Sequence, residues 1–145
     1  MSNPRHKARR CATQALYTWQ MTGQDVAAID EEYQLDHDMN KVDVEYFREL
    51  LHQVPLRLHE LDDHITPLLD RPLQEVDPVE RAILRLATYE LEFRPDVPYR
   101  VVINEAIELA KTYGAEHGHK YVNSIVDGVA KKLRKAEIEA KRRGG

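Results

Sequence analysis

Apolar residues in this chain return every three or four positions almost from end to end, the spacing of helices that each bury one face. The first such stretch is predicted from about Pro4 to Met21, where Ala8, Cys11, Ala12, Ala15, Leu16 and Trp19 fall on one arc. Arg5, His6, Arg9, Arg10, Thr13, Gln14 and Tyr17 occupy the opposite arc, with Tyr17 near its middle. The small alanines would let other helices approach closely, so this reads as a central helix. Gly23 ends it, and DVAAIDEEYQLD is expected to form a short acidic helix. A helix from about Val42 to Val54 follows, with Val44, Phe47, Leu50, Leu51 and Val54 as its buried set. Pro55 should interrupt it, because proline removes a helical donor and crowds the preceding turn.

Leu56, Leu58, Leu61, Ile65, Leu68 and Leu69 mark a further helix, interrupted near Pro67, and Pro72 marks a boundary. Asp77–Pro78–Val79–Glu80 is a helix start: an N-cap Asp, proline at the first helical position, and Glu three residues after the cap. Beyond it, Arg81, Arg85, Thr88 and Glu92 make one narrow polar stripe on an otherwise apolar helix, which should be the most enclosed in the domain. The helix from about Val101 to Tyr113 should bury Val102, Ile103, Ala106, Ile107 and Ala110 and stop at Gly114, a C′ glycine. The last helix should bury Val122, Ile125, Val126, Val129 and Leu133. No strand-like alternation persists. The predicted class is all-α.

A chain of 145 residues fits one domain with a single core. We expect that domain over residues 1–135 and a basic, flexible tail over 136–145. Hydrophobic residues at 42% and charged residues at 32% fit a soluble globular protein rather than a disordered one. No apolar run approaches the roughly 20 residues of a membrane span, and the basic N-terminus lacks the apolar segment of a secretory signal. The single cysteine, Cys11, excludes an internal disulfide and suits a reducing compartment. The expected location is the cytoplasm, with no membrane partner.

The net charge of −4 hides an asymmetry. Arg5, Lys7, Arg9 and Arg10 stand at the N-terminus without an acid, residues 25–63 carry a net −9, and Lys131 to Arg143 carries a net +5. Basic ends on an acidic body fit a localised polyanion site, or equally a solvated pair of termini. Enzyme signals are poor. Gly114 and Gly118 have no strand before them and no phosphate-loop lysine. His117 and His119 are two apart, the wrong spacing for one helix face, with no Cys/His cluster beside them. No catalytic residue, metal or cofactor is expected, and Cys11 on the apolar arc reads as structural. Nucleic acid is better supported: Arg5, Arg9, Arg10, His6 and Tyr17 would put cations and an exposed aromatic on one face, a combination suited to single-stranded RNA. Tyr121, at the edge of the last apolar stripe, is either a rim core residue or a second stacking platform.

Three segments carry a resemblance: RHKARRCATQALYTWQ (Arg5–Gln20), DPVERAILRLATYEL (Asp77–Leu91) and PYRVVINEAIELAKTYGAEHGHKYVNSIVDGVAKK (Pro98–Lys132). Together they resemble the NusB family of transcription antitermination proteins along nearly the whole chain, most weakly from Gln24 to about Pro72. The resemblance implies about six to seven helices in two small bundles sharing the N-terminal helix. It implies a non-catalytic adaptor that binds the boxA element of ribosomal RNA leader transcripts together with NusE, a small-subunit ribosomal protein. That pair would join an elongating RNA polymerase complex with other Nus factors. By position, Arg5, Lys7, Arg9 and Arg10 would be the main RNA surface. Lys120, Tyr121 and Asn123 in HKYVNS match an HKFVNG-like motif and would contribute to it. Tyr17 and Glu80 match positions at the NusE contact, and His117 stands near the same surface. Glu80 could serve there and in its capping box at once, provided its carboxylate stays partly exposed.

Two departures stand out: His117 where relatives often carry an acid, and Ser124 in place of a common glycine. A NusB-like domain also fronts certain ribosomal RNA cytosine methyltransferases, but this chain has no room for their cofactor domain. A pure protein adaptor, whose basic ends meet an acidic partner, is the other alternative.

Overall fold

A computed structural model describes residues 3–144; Met1, Ser2 and Gly145 lie outside them. Among the described residues the chain forms eight α-helices and no strand: α1 Pro4–Thr22, α2 Val26–Asp36, α3 Val44–Leu56, α4 Leu58–Ile65, α5 Pro78–Phe93, α6 Tyr99–Tyr113, α7 Gly118–Leu133 and α8 Lys135–Arg143. Two 3₁₀ turns, Thr66–Leu68 and Leu73–Glu75, fill the connection between α4 and α5. The Asn3 side chain accepts from the amides of Arg5 and His6, and Pro4 takes the first helical position, where a missing N–H costs nothing. α1 ends at Gly23, left-handed at φ 68, whose N–H returns to the Trp19 carbonyl.

The structure departs from the expected six to seven helices in two places, of which the second adds a helix. Pro55 does not end α3; it sits in the last turn, and the break falls at Arg57 (φ −109, ψ 23). The tail expected to be flexible is helical through Arg143. It is pinned by Arg134, whose buried guanidinium donates to the carbonyls of Glu90, Leu91 and Arg94 and to Glu137. Glu90 and Leu91 lie in the last turn of α5 and Arg94 caps it, so Arg134 binds the negative end of that helix. Glu137 also accepts from the Tyr99 amide, and Ile138 packs on the core.

Two apolar cores form. One gathers Ala8, Ala12, Ala15 and Leu16 of α1 with Phe47, Leu50, Leu51 and Val54 of α3. The other gathers α6 and α7 around Val102, Leu109, Val122 and Val126. α5 enters both, giving Ala82, Leu86 and Tyr89 to the first and Ile83, Leu84, Ala87 and Leu91 to the second. That is why this helix lacks a solvent-facing side. Its polar stripe is covered too: Arg85 forms a two-pronged ion pair with Asp62 and a hydrogen bond to Gln20, and Thr88 is buried. The core of α6 differs from the expected set: Leu109 is buried, while Ile103 and Ile107 are half-buried.

Candidate nucleic-acid interface

The basic face of α1 divides into a buried part and an exposed part. Arg9 is 2% exposed and is a correction to the sequence reading, which placed it in solvent. Its Nε and Nη2 donate to the Glu90 carboxylate at 2.8–3.1 Å, and its Nη1 donates to Glu105 at 3.1 Å. The Tyr46 hydroxyl donates to the same Glu90 carboxylate. His6 Nδ1 lies 2.5 Å from Glu105, extending the chain of polar contacts to the surface. Burial alone would lower the Arg9 pKa, but the hydrogen bonds and charge of Glu90 outweigh it and keep the guanidinium more firmly protonated. Burial, then Glu90, pushes the Tyr46 hydroxyl well above its usual range. Arg9 therefore ties α1 to α5 and α6 and, at 2% exposure, is withdrawn from any ligand at the surface. Neither Glu90 nor Tyr46 was legible as its partner, since each lies in a different periodic segment.

Arg5, Lys7 and Arg10 reach the surface. The Arg5 guanidinium lies 4.2 Å from the centre of the Tyr46 ring and 3.8 Å from Asp96, while Lys7 is half-buried. Arg10 is exposed, and its Nε donates to the Tyr113 hydroxyl at 3.3 Å. Gln14 donates to the same hydroxyl at 2.7 Å and accepts from Tyr33 at 2.9 Å. Lys7, Arg10, Cys11, Gln14, Val42 and Tyr113 line a shallow cleft of about 230 Å³. Tyr113 is a member the sequence reading missed; it stood there only as the end of its helix. Cys11, half-buried, packs against the first core and also edges this cleft.

Tyr17 is 38% exposed, seven residues beyond Arg10 and three beyond Gln14, on the same face of α1. One turn further, Gln20 donates to the Pro78 carbonyl and fixes this end of α1 against the start of α5. There Asp77 caps α5 as expected, accepting from Val79 and Glu80. Glu80 does not complete a capping box. It is 5% exposed and accepts from the Ala115 amide at 3.2 Å in the α6–α7 turn. Burial, the dominant cause, raises its pKa. A Cβ on Gly118 would lie 2.2 Å from the Glu80 carboxylate, and one on Gly114 would lie 2.7 Å from the Ala110 carbonyl. Gly114 is extended rather than left-handed, so it is needed for that close approach. Glu80 thus holds the turn from beneath, a correction to its placing on a contact surface. The left-handed residue is His117 at φ 65, its ring exposed and 3.6 Å from Glu116.

α7 presents Lys120, Asn123 and Ser124 to solvent. Tyr121 points elsewhere and is the rim residue of the two alternatives: it packs on the second core and donates to Asp70 at 3.0 Å. The Arg71 guanidinium lies 4.7 Å from the centre of its ring. The structure thus gathers Arg10, Gln14, Tyr113 and the α6–α7 turn into one region, with Tyr17 alongside, and sets Tyr121 apart against Asp70 and Arg71. Among the described residues no group of three or more His, Cys, Asp or Glu side chains could hold a metal ion, and no helix is long and apolar enough to cross a membrane.

An all-α chain with this order of helices can be compared with known proteins along its whole length. Residues 6–131 match the NusB family. The chain belongs to the NusB family. It is 57% identical over 141 residues to the transcription antitermination protein NusB of Nitrosococcus oceani, covering 97% of this chain and 95% of that protein. It is 59% identical over 123 residues to its namesake in Shewanella amazonensis, covering 85% of this chain and 92% of the relative. Among solved structures, T. maritima NusB superposes with a TM-score of 0.79 at 37% identity, over 90% of this chain and 93% of the other. A structure of the antitermination factors NusB and NusE in complex with double-stranded RNA matches with a TM-score of 0.79 at 29% identity. That match covers 91% of this chain and 99% of the other. These NusB likenesses span both bundles.

Proposed function

We propose that this chain is a non-catalytic, cytoplasmic adaptor of transcription antitermination that binds the single-stranded boxA element of ribosomal RNA leaders together with NusE. The observation that supports this most is its likeness, over 91% of its length, to the NusB chain of the structure containing NusE and RNA. The exposed chemistry agrees. Arg5, Lys7 and Arg10 on α1, with Lys120 and Asn123 on α7, offer cations and an amide to phosphates and base edges. A single strand suits such a surface better than a duplex, because side chains cannot read the deep major groove of A-form RNA. Tyr121 contributes at the margin, with its hydroxyl held by Asp70. Tyr17 and His117 form the NusE contact, with Glu80 fixing the turn that carries His117. The protein joins the elongating RNA polymerase complex with other Nus factors, and residues 1–135 contain the RNA-binding unit.

Fluorescence anisotropy with a boxA oligomer and a scrambled oligomer, with and without NusE, tests the reading at near-physiological salt. The expected result is preference for boxA, tightened by NusE through a coupling of about 1–3 kcal/mol. Four cations in contact with a single strand give a slope of log K against log salt of about −3. Equal, weak binding of both oligomers regardless of NusE would sink the proposal and favour a protein-only adaptor.

A further inference from the structure

The basic C-terminal helix is not used by the site described above. α8 forms two adjoining clefts, of about 380 and 560 Å³, against the start of α6 and the end of α7. Arg100 and Lys141 line both, and Lys131 and Arg142 line the first. The buried Tyr99 ring stands between two of these cations, with the Arg100 guanidinium 5.8 Å and the Lys141 ammonium 5.7 Å from its centre. The neighbouring acids are occupied. Asp127 pairs with Lys131 at 3.0 Å, and Glu137 accepts from Arg134 and from the Tyr99 amide. Among the described residues no carboxylate lies within ion-pair distance of Arg100, Lys132, Lys135, Lys141, Arg142 or Arg143. Glu139 is the one exposed acid of α8 without a bonded partner among the described residues.

Cations drawn together from three helices raise the local positive potential and attract a polyanion. We infer that Arg100, Lys131, Lys141 and Arg142 form a second binding surface, for the phosphate backbone of RNA continuing beyond the α1 surface. Continuity selects RNA over an acidic protein. Arg5 at the start of α1 lies beside Asp96 in the α5–α6 turn, and Tyr99 at the end of that turn is bonded to α8 through Glu137. One turn therefore borders both basic surfaces. Its own acid, Asp96, is neutralised by Arg94 at 3.1 Å and by Arg5 at 3.8 Å. Since Tyr99 is buried, this surface has no ring for a base to stack on and contacts the backbone without reading sequence.

The inference rests on the RNA-binding reading, and the test separates the two. Anisotropy would compare a boxA-length oligomer with the same oligomer extended by flanking nucleotides at both ends, for the full chain and its Arg100→Ala/Lys141→Ala/Arg142→Ala variant. The parent protein should bind the extended RNA more tightly than the short one. The variant should lose that gain, its salt slope on the extended RNA falling by about 2, with short-oligomer affinity unchanged. Lys141→Arg, which keeps the charge, should retain the gain. A triple variant that binds extended RNA with the parental affinity and slope overturns the inference while leaving the boxA reading intact. Loss of a Nus-factor protein from the variant, with both RNAs retained, would also overturn it, by assigning the surface to an acidic protein. A parent protein that binds neither oligomer overturns both readings.

Discussion

The two bundles close around different interiors. The one made by α5, α6 and α7 is aliphatic, with Ile83, Leu84, Val102, Leu109, Val122 and Val126 packed side to side. The seam where α1 meets α3, α5 and α6 instead encloses Arg9, Glu90, Tyr46 and part of Glu105. An aliphatic interior tolerates changes of shape that conserve volume, because its attraction is non-directional. An ionic interior does not. Each charge there is stable only while its partner is in place, and removing one strands the other in low dielectric. The exposed cations of α1 are carried by that less forgiving half, so the surface depends on a buried geometry that its own residues do not reveal.

The widest separation between the halves should come from near-isosteric changes. Glu90→Gln keeps size and shape but leaves the Arg9 charge without its main counter-ion, and should cost about 3 kcal/mol in urea unfolding. Leu84→Met, equally conservative in volume and fully buried in the other core, should cost less than about 1.5 kcal/mol. Equal costs would show that the ionic seam is no more demanding than the aliphatic core.

The same contrast marks what could be read in the chain. Most core residues were legible, though periodicity suggested one core rather than two, because burial of Phe47, Leu50, Leu51, Val122 and Val126 follows a local period. The start of α5 was legible because Asp77 and Pro78 act within one turn. Arg9 was not, since its partner lies 81 residues away and a periodic reading counts every arginine as solvent-facing. Glu90 was passed over for the same reason, and Tyr46 with it. Leu56 erred the other way: expected inside, it is 75% exposed, while the Arg57 guanidinium lies over the Phe93 ring at 4.2 Å. The tail read as flexible from its charge, yet Arg134 reaches back to three carbonyls at the end of α5 and its cap and anchors it. Charge composition locates basic surfaces; it does not say which charges are already used.

The α6–α7 turn sits between these regimes, since a buried carboxylate supports an exposed loop. Gly118→Ala would drive a methyl group into Glu80, and overpacking there should cost about 2 kcal/mol. The pH dependence of Glu80 gives a finer test. Its folded pKa is raised above the ordinary 4.5, so from about that value upward the folded state holds a proton the unfolded state has released. Stability contributed by this group therefore falls as pH rises through the window and is recovered below it. Glu80→Gln should remove that part of the slope while still accepting from the Ala115 amide. Unfolding midpoints of parent and variant across the window check the difference; parallel curves would show that Glu80 does not titrate there.

The smallest effect on stability should come from Arg10, and for that reason it is the sharpest probe of the division within α1. Arg10 lies next to Arg9 in sequence but about 100° round the helix, exposed and bonded only to the Tyr113 hydroxyl. Arg10→Ala should change unfolding free energy by no more than about 0.5 kcal/mol, as for most surface substitutions. It should remove one phosphate contact and lower the salt slope of RNA binding by about 0.7. Arg9→Ala should do the reverse, since the residue cannot reach a ligand while Glu90 and Tyr46 hold it. Its loss leaves the Glu90 carboxylate buried with the Tyr46 hydroxyl as its remaining side-chain donor, so unfolding should become easier before RNA affinity of the folded protein changes. If Arg10→Ala unfolds the protein, or Arg9→Ala weakens RNA binding in a fully folded sample, the boundary between buried and exposed charge on α1 has been drawn in the wrong place.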